Sequence, residues 1–158
     1  MKTLLKCAAL ALILACGNDK STTETSSNQP TTTQEAPKPQ VKASERIDLE
    51  NKGVGPITSI TLDPEIDRKL AVKGKEIFDM MCVACHKPDS KFIGPAPINI
   101  LQRRSPEWVM NMILNPDVMV KEDPLAKDLL MEFNGSPMAN QNLNEDEARA
   151  ILEYFRTL

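Results

Sequence analysis

The chain has 158 residues, of which 41% are hydrophobic and 26% charged, and it carries a formal net charge of −3. A negative balance disfavours nucleic acid as a partner. One histidine, and four cysteines of which two lie near the N-terminus, leave too few ligands for a structural zinc site.

Residues 1–15 have a charged start, Lys2 and Lys6, followed by an apolar run from Cys7. This is the layout of a secretory signal peptide, and the run is too short to span a bilayer. Ile13-Leu14-Ala15-Cys16 resembles a bacterial lipobox, which implies cleavage before Cys16 and a lipid on that cysteine. An exported protein is expected, in the periplasm or cell envelope and anchored to a membrane through its lipid. An ordinary signal peptide with an incidental cysteine is the alternative. Loss of Lys2 and Lys6 moves the formal charge from −3 to −5.

Residues 16–52 follow the lipidated cysteine with Thr, Ser, Gln, Pro, Lys and Glu and almost no large apolar side chain. Such a stretch buries too little surface to fold and reads as a disordered tether. From Gly17 to Leu62 a random chain averages about 35–40 Å end to end, enough to let a held domain swing between partners. A passive spacer is the alternative. Residues 53–62 contain Val54, Ile57, Ile60 and Leu62, which read as a strap laid against the folded part.

Residues 63–158 are about the size of one small domain, and their pattern is helical. Asp63 as N-cap and Pro64 at the first position open a helix, with Ile66, Leu70, Ile77, Phe78 and Met81 at helical spacing. Gly74 is a poor helix former, so its place here points to a second helix crossing closely. The helix runs into Cys82-Val83-Ala84-Cys85-His86.

C-x-x-C-H is the attachment pattern of a c-type haem. Cysteines three apart on a helical turn share one face, so two sulfurs reach the vinyl groups on one porphyrin edge and His86 presents its imidazole to the iron. A thioredoxin-like C-x-x-C sits between a strand and a helix, and no strand pattern surrounds this one. The cysteine count then closes: Cys7 leaves with the signal, Cys16 carries lipid, and Cys82 and Cys85 carry one haem c.

Residues 91–97 form a loop rich in proline and glycine. Ser105-Pro106 opens a second helix that Asn115-Pro116 stops, and Asp123-Pro124 opens a third reaching Phe133. The last helix starts at Asn144, with Glu147 in the capping-box position and an apolar stripe of Ala148, Ile151, Leu152 and Phe155. Four helices without a strand give an all-α domain whose core is marginal for its size unless a haem fills it.

Over residues 63–158 the chain resembles class I monohaem cytochromes c. The resemblance rests on the first helix with its glycine and aromatic, C-x-x-C-H, the Gly94-Pro95 loop, the helix bearing Trp108, the Pro137-Met138 loop and the amphipathic last helix. It implies a small all-α cytochrome c fold of about four helices around one covalent haem. It also implies a crossing of Gly74 and Phe78 against residues 152–155, and a hydrogen bond from the Nδ1 hydrogen of His86 to the Pro95 carbonyl. The haem propionates would meet Arg103 or Arg104 and the indole N–H of Trp108; a core tryptophan with its N–H on backbone is the alternative.

For the sixth ligand, one histidine rules out bis-histidine ligation within the chain, and methionine ligation raises the reduction potential. The family places its ligand in the loop before the terminal helix, which ranks Met138 first, Met131 second and Met119 third. Met80 and Met81 lie beside the motif, and Met110 and Met112 read as core. Here the family's Pro-Met-Pro is Pro137-Met138-Ala139.

An iron with two protein ligands has no open position, so electrons enter and leave at the haem edge. One-electron transfer without bond chemistry is the expected function. A haem enzyme or gas sensor with an open sixth site, peroxidase-like, is the alternative, and thiol exchange at Cys82 and Cys85 is a third. Lys73, Lys75, Lys87 and Lys91 cluster around the motif and suit docking on an acidic redox partner, although a solvated helix face also explains Lys73 and Lys75. By resemblance the chain is a monomer that takes electrons from a quinol-oxidising complex and gives them to a terminal reductase or oxidase, a nitrous-oxide reductase being one such acceptor.

Overall fold

The computed structural model describes residues 41–158. The expected signal peptide, the expected lipid site Cys16 and the expected tether up to residue 40 lie outside the described residues. The elements are α1 (Arg68–Met81), a 3₁₀ turn (Ile100–Gln102), α2 (Pro106–Leu114), α3 (Pro116–Glu122), α4 (Pro124–Glu132) and α5 (Glu145–Phe155). Among the described residues the only β pairing is an isolated bridge between Asp48 and Arg104.

One helix start differs from the sequence expectation, and one helix is added. The first helix begins at Arg68 and is capped by Asp67, whose carboxylate accepts the Lys69 and Leu70 N–H groups at 2.9 and 3.0 Å. The backbone of Asp63 and Pro64 is committed elsewhere, since both carbonyls accept from the Arg156 guanidinium at 2.6 and 3.2 Å. Pro116 ends α2 and also opens α3, so five α-helices replace the expected four. A proline lacks the N–H that would continue one helix, yet its fixed φ suits the first position of the next.

The core is organised by the crossing of α1 and α5, with α2 packed on α5 as well. At Gly74 a Cβ would overlap the Ala150 carbonyl and come within 2.8 Å of the Ile151 nitrogen, so the two backbones are in direct contact. One turn on, Phe78 is buried with its ring centroid 5.5 Å from Tyr154 and 5.8 Å from Phe155. The fully buried Glu153 locks the same interface. Its carboxylate accepts from Arg149, from Arg156 at 2.7 Å and from the Asp67 N–H at 2.8 Å.

Residues 41–52 are folded onto this domain, which corrects the C-terminal part of the expected tether. Ala43 is buried in the core, Asp48 N–H donates to the Arg103 carbonyl at 2.9 Å, and Arg46 pairs with Asp128 at 2.9 Å. Composition misses this because the segment is held by its backbone and polar groups rather than by apolar side chains. Ile57 is buried, with Val54, Ile60 and Leu62 packed against the core. Asn111 fixes this strap by accepting the Ile57 N–H and donating to the Lys52 and Ile57 carbonyls, each at 2.9 Å.

Gly74→Ala is expected to force α1 and α5 apart and to cost about 3 kcal/mol, read as a lowered midpoint in denaturant unfolding of the haem-loaded protein. Gly135→Ala meets no atom within 4 Å but has φ +70°, and should cost only about 1 kcal/mol. Glu153→Ala leaves two guanidiniums and the Asp67 N–H without their acceptor and should cost about 3 kcal/mol in the same assay.

Candidate haem site

Helix α1 hands its geometry to the C-x-x-C-H segment. After Met81 the chain continues for one more turn, in which the Cys85 and His86 N–H groups both donate to the Cys82 carbonyl at 3.0 and 2.8 Å. Cys82, Cys85 and His86 therefore line one cavity. His86 Nδ1 lies 2.8 Å from the Pro95 carbonyl. A carbonyl can only accept, so Nδ1 carries the proton and Nε2 keeps the lone pair that a metal needs.

The loop that brings Pro95 there depends on Gly94. Its N–H donates to the Cys85 carbonyl at 2.8 Å, and a Cβ at this residue would lie 2.8 Å from His86 Nδ1 and 2.9 Å from Nε2. Only a residue without a side chain lets the backbone lie against the imidazole.

The cavity wall is mostly apolar, with Met81, Ile93, Leu129, Leu130 and Phe133 among its residues. Burial, followed by the charge of Cys85, pushes the Cys82 thiol up to about 11. A thiol held protonated is a poor nucleophile, which weighs against thiol exchange. Among the described residues no three His, Cys, Asp or Glu side chains come together as a metal cluster.

Arg103 and Arg104 break the apolar lining. The outer nitrogens of Arg104 donate to the carbonyls of Ala43, Arg46 and Arg103, and those of Arg103 to the carbonyls of Ile98 and Asn99. The Nε atoms of both are buried and have no hydrogen-bond partner among the described residues. Burial lowers both guanidiniums, Arg104 to about 10 with the Arg103 charge adding to the effect. A buried Arg104 and a half-buried Arg103, each with an N–H left over, fit the paired carboxylates of a haem, and the apolar remainder fits its ring.

Trp108 departs from its expected role. Its ring lines the cavity, with the Arg104 guanidinium 5.3 Å from its centroid, but its indole N–H donates to the buried Asp123 carboxylate at 3.1 Å. It is thus committed neither to a propionate nor to backbone. Asp123 also caps α4 through the Ala126 N–H at 2.7 Å and accepts from Asn51 Nδ2 at 2.7 Å.

Of the ranked methionines, Met138 is half-buried and lines the cavity. Met131 is 71% exposed and Met119 is buried under the strap, where its sulfur accepts the Val54 N–H at 3.0 Å; neither is part of the cavity wall. Met81 and Met112, read from sequence as helix and core residues, do line it. Ser44 lines it too, and no sequence signal marked that residue. Of the four lysines, Lys75 is paired with Asp79 at 2.5 Å. Lys87 lies over the ring of Phe92 and Lys91 over that of Phe133, at 4.9 and 4.6 Å.

The family model for cytochrome c matches residues 71–158. Among solved structures, a cytochrome c from Rhodothermus marinus is 40% identical, with a TM-score of 0.64 over 73% of this chain and 92% of that one. An engineered cytochrome c from the same organism, Rma TDE, is 39% identical, with a TM-score of 0.63 over 73% of this chain and 93% of that one. No curated protein matches the chain.

Asp123→Ala is expected to cost about 3 kcal/mol by stranding the indole N–H and uncapping α4. Because Trp108 and Asp123 share that bond, Trp108→Phe should cost about 1 kcal/mol less in the Asp123→Ala background than alone, as read from a double-mutant cycle in urea.

Proposed function

The chain belongs to the cytochrome c family, and from that membership we propose that it is a membrane-tethered one-electron carrier with His86 and Met138 as axial ligands. Membership itself gives one haem c, held covalently through Cys82 and Cys85, in an electron carrier rather than an enzyme. When bound, the haem supplies a one-electron iron couple and a conjugated edge. The rest is the work of the chain's own residues.

The proposal is carried by one observation: a single apolar cavity brings together the C-x-x-C-H turn, two arginines with an unused N–H each, and a methionine from the loop before α5. The Pro95 carbonyl holds the His86 ring and fixes the tautomer that leaves the Nε2 lone pair free. Arg103 and Arg104 supply N–H donors for the propionates. Met138 is favoured over Met81, which directly precedes Cys82 on the helix that leads to His86, and over Met112, which sits in α2 between the buried Asn111 and Ile113.

Export and the anchor rest on the leader and Cys16, and place the domain outside the cytoplasm. Docking would use the exposed apolar residues beside the cavity, Val83, Phe92 and Ile93, with Lys87 and Lys91 as the basic element. A quinol-oxidising complex as donor and a terminal reductase or oxidase as acceptor suit a monomeric shuttle of this kind, a nitrous-oxide reductase among them.

Optical spectra of the oxidised protein test the ligand set. A red sulfur-to-iron charge-transfer band is expected, lost in Met138→Ala and kept in Met131→Ala, with the reduction potential of Met138→Ala lower by roughly 0.2 V, a part of the range set by axial ligands. Haem retained without that band in the native protein, with rapid carbon monoxide binding to the reduced form, would instead establish an open-site enzyme or sensor. Mass spectrometry of the mature N-terminus should find a lipidated Cys16; an unmodified start at another residue would remove the anchor.

A further inference from the structure

We infer that residues 43–48 are a clasp that positions the Met138 loop, with Glu132 as its key positioning residue; this rests on the reading of Met138 as the sixth ligand. The clasp lies outside residues 71–158, the part of the chain matched by the family model, yet one of its residues, Ser44, lines the haem cavity.

Glu132 is the last residue of α4. Its two carboxylate oxygens accept separately from Ser44, one from the backbone N–H at 2.8 Å and one from the hydroxyl at 2.5 Å. One turn earlier on the same helix, Asp128 accepts from Arg46 at 2.9 Å. The other side of the clasp is held by the arginine wall: Arg104 donates to the Ala43 and Arg46 carbonyls, and the Arg103 carbonyl accepts the Asp48 N–H. Six residues thus tie the end of α4 to the arginines assigned to the propionates.

That tie reaches the ligand through the backbone. After α4 the chain turns sharply, with Asn134 and Gly135 both at positive φ. The hydrogen bonds that fix this turn all return to the end of α4: Asn134 N–H to the Met131 carbonyl, Gly135 N–H to Leu130 and Ser136 N–H to Phe133. Pro137 and Met138 follow directly. The buried Phe133 supplies apolar anchorage to the same turn, but such contact is not directional. The paired hydrogen bonds from Ser44 fix the orientation of that last turn, and with it the point from which the loop departs.

Imidazole binding to the oxidised, full-length haem-loaded protein tests this, because imidazole takes the sixth position only while the Met138 loop is open. At saturating imidazole, Glu132→Ala should bind about tenfold faster than the native protein, as expected for losing two partly buried hydrogen bonds. Ser44→Ala should show a smaller acceleration, and Glu132→Gln, whose amide oxygen still accepts, should fall between native and Glu132→Ala. Ile57→Ala loosens the strap without touching the clasp; it should lower the melting temperature and leave the imidazole rate unchanged. Equal rates for native and Glu132→Ala would overturn the inference, as would an Ile57→Ala rate matching that of Glu132→Ala. If Glu132→Ala does not fold, Ser44→Ala carries the same comparison. The charge-transfer band of the native protein separates the two readings: its absence overturns the ligand set and the clasp together, whereas its presence with unchanged exchange overturns the clasp alone.

Discussion

The contact of Gly74 with the Ala150 carbonyl constrains everything built on α1. Two helices whose backbones touch cannot slide or rotate without opening a gap, because interiors are close-packed and do not deform smoothly. Phe78 wedged against Tyr154 and Phe155, and Glu153 bound to the N-cap backbone of α1, fix the direction and the register of the pair. The C-x-x-C-H turn is the continuation of α1, so the position of both sulfurs and of the His86 ring is set by an interface that lies outside the cavity. A covalent cofactor gains from this arrangement, since its attachment points need not be supported by loops.

The opposite design governs Arg103 and Arg104. Arg104 is buried and Arg103 half-buried there, and among the described residues no carboxylate lies at hydrogen-bond distance from either, against the ordinary cost of desolvation. Their outer nitrogens are satisfied by carbonyls, four of which come from residues 43, 46, 98 and 99. Backbone carbonyls orient a guanidinium without neutralising it, so the positive charge remains for the cavity. Had acidic side chains answered these arginines, the site would have lost its attraction for the carboxylates of a haem. Residues 41–52 are therefore part of the site electrostatically, although nothing in their composition says so.

How far the sequence could be read follows from what each signal measures. Helix caps and the C-x-x-C-H pattern are local, and α2, α4 and α5 start where Ser105, Asp123 and Asn144 place them. Asp63-Pro64 carries the same local signal as a true start, and only Arg156, 93 residues from Asp63, diverts its backbone. Gly74 announced a crossing because a glycine inside a helix needs a reason, but the partner atom, the Ala150 carbonyl, sits one turn before the aromatic end of α5. The sequence leads to a propionate or backbone as partner of the Trp108 indole; the actual partner, Asp123, carries only the signal of a helix cap and does both tasks with one carboxylate. Met131 and Met119 share the chemistry of Met138 and differ from it only in where the fold points them.

Electron transfer rewards a site whose geometry is the same in both oxidation states, and the chain divides that task unequally. On the histidine side the imidazole is held by the Pro95 carbonyl, and Gly94 lies flat against it, within one turn of a helix locked by α5. On the proposed methionine side the sulfur hangs from a loop of small and polar residues, Asn134, Gly135 and Ser136, all of them exposed. Rigidity on that side must be imported, and the available sources are Phe133 from the core and the Ser44 to Glu132 pair from the clasp. With Met138 as the proposed ligand, changes in ligand exchange and potential are expected to arise in that loop while the haem stays fixed to Cys82 and Cys85. The bonds from Ser44 and Arg46 to Glu132 and Asp128 bring residues 43–48 to the end of α4, the helix from which that loop departs.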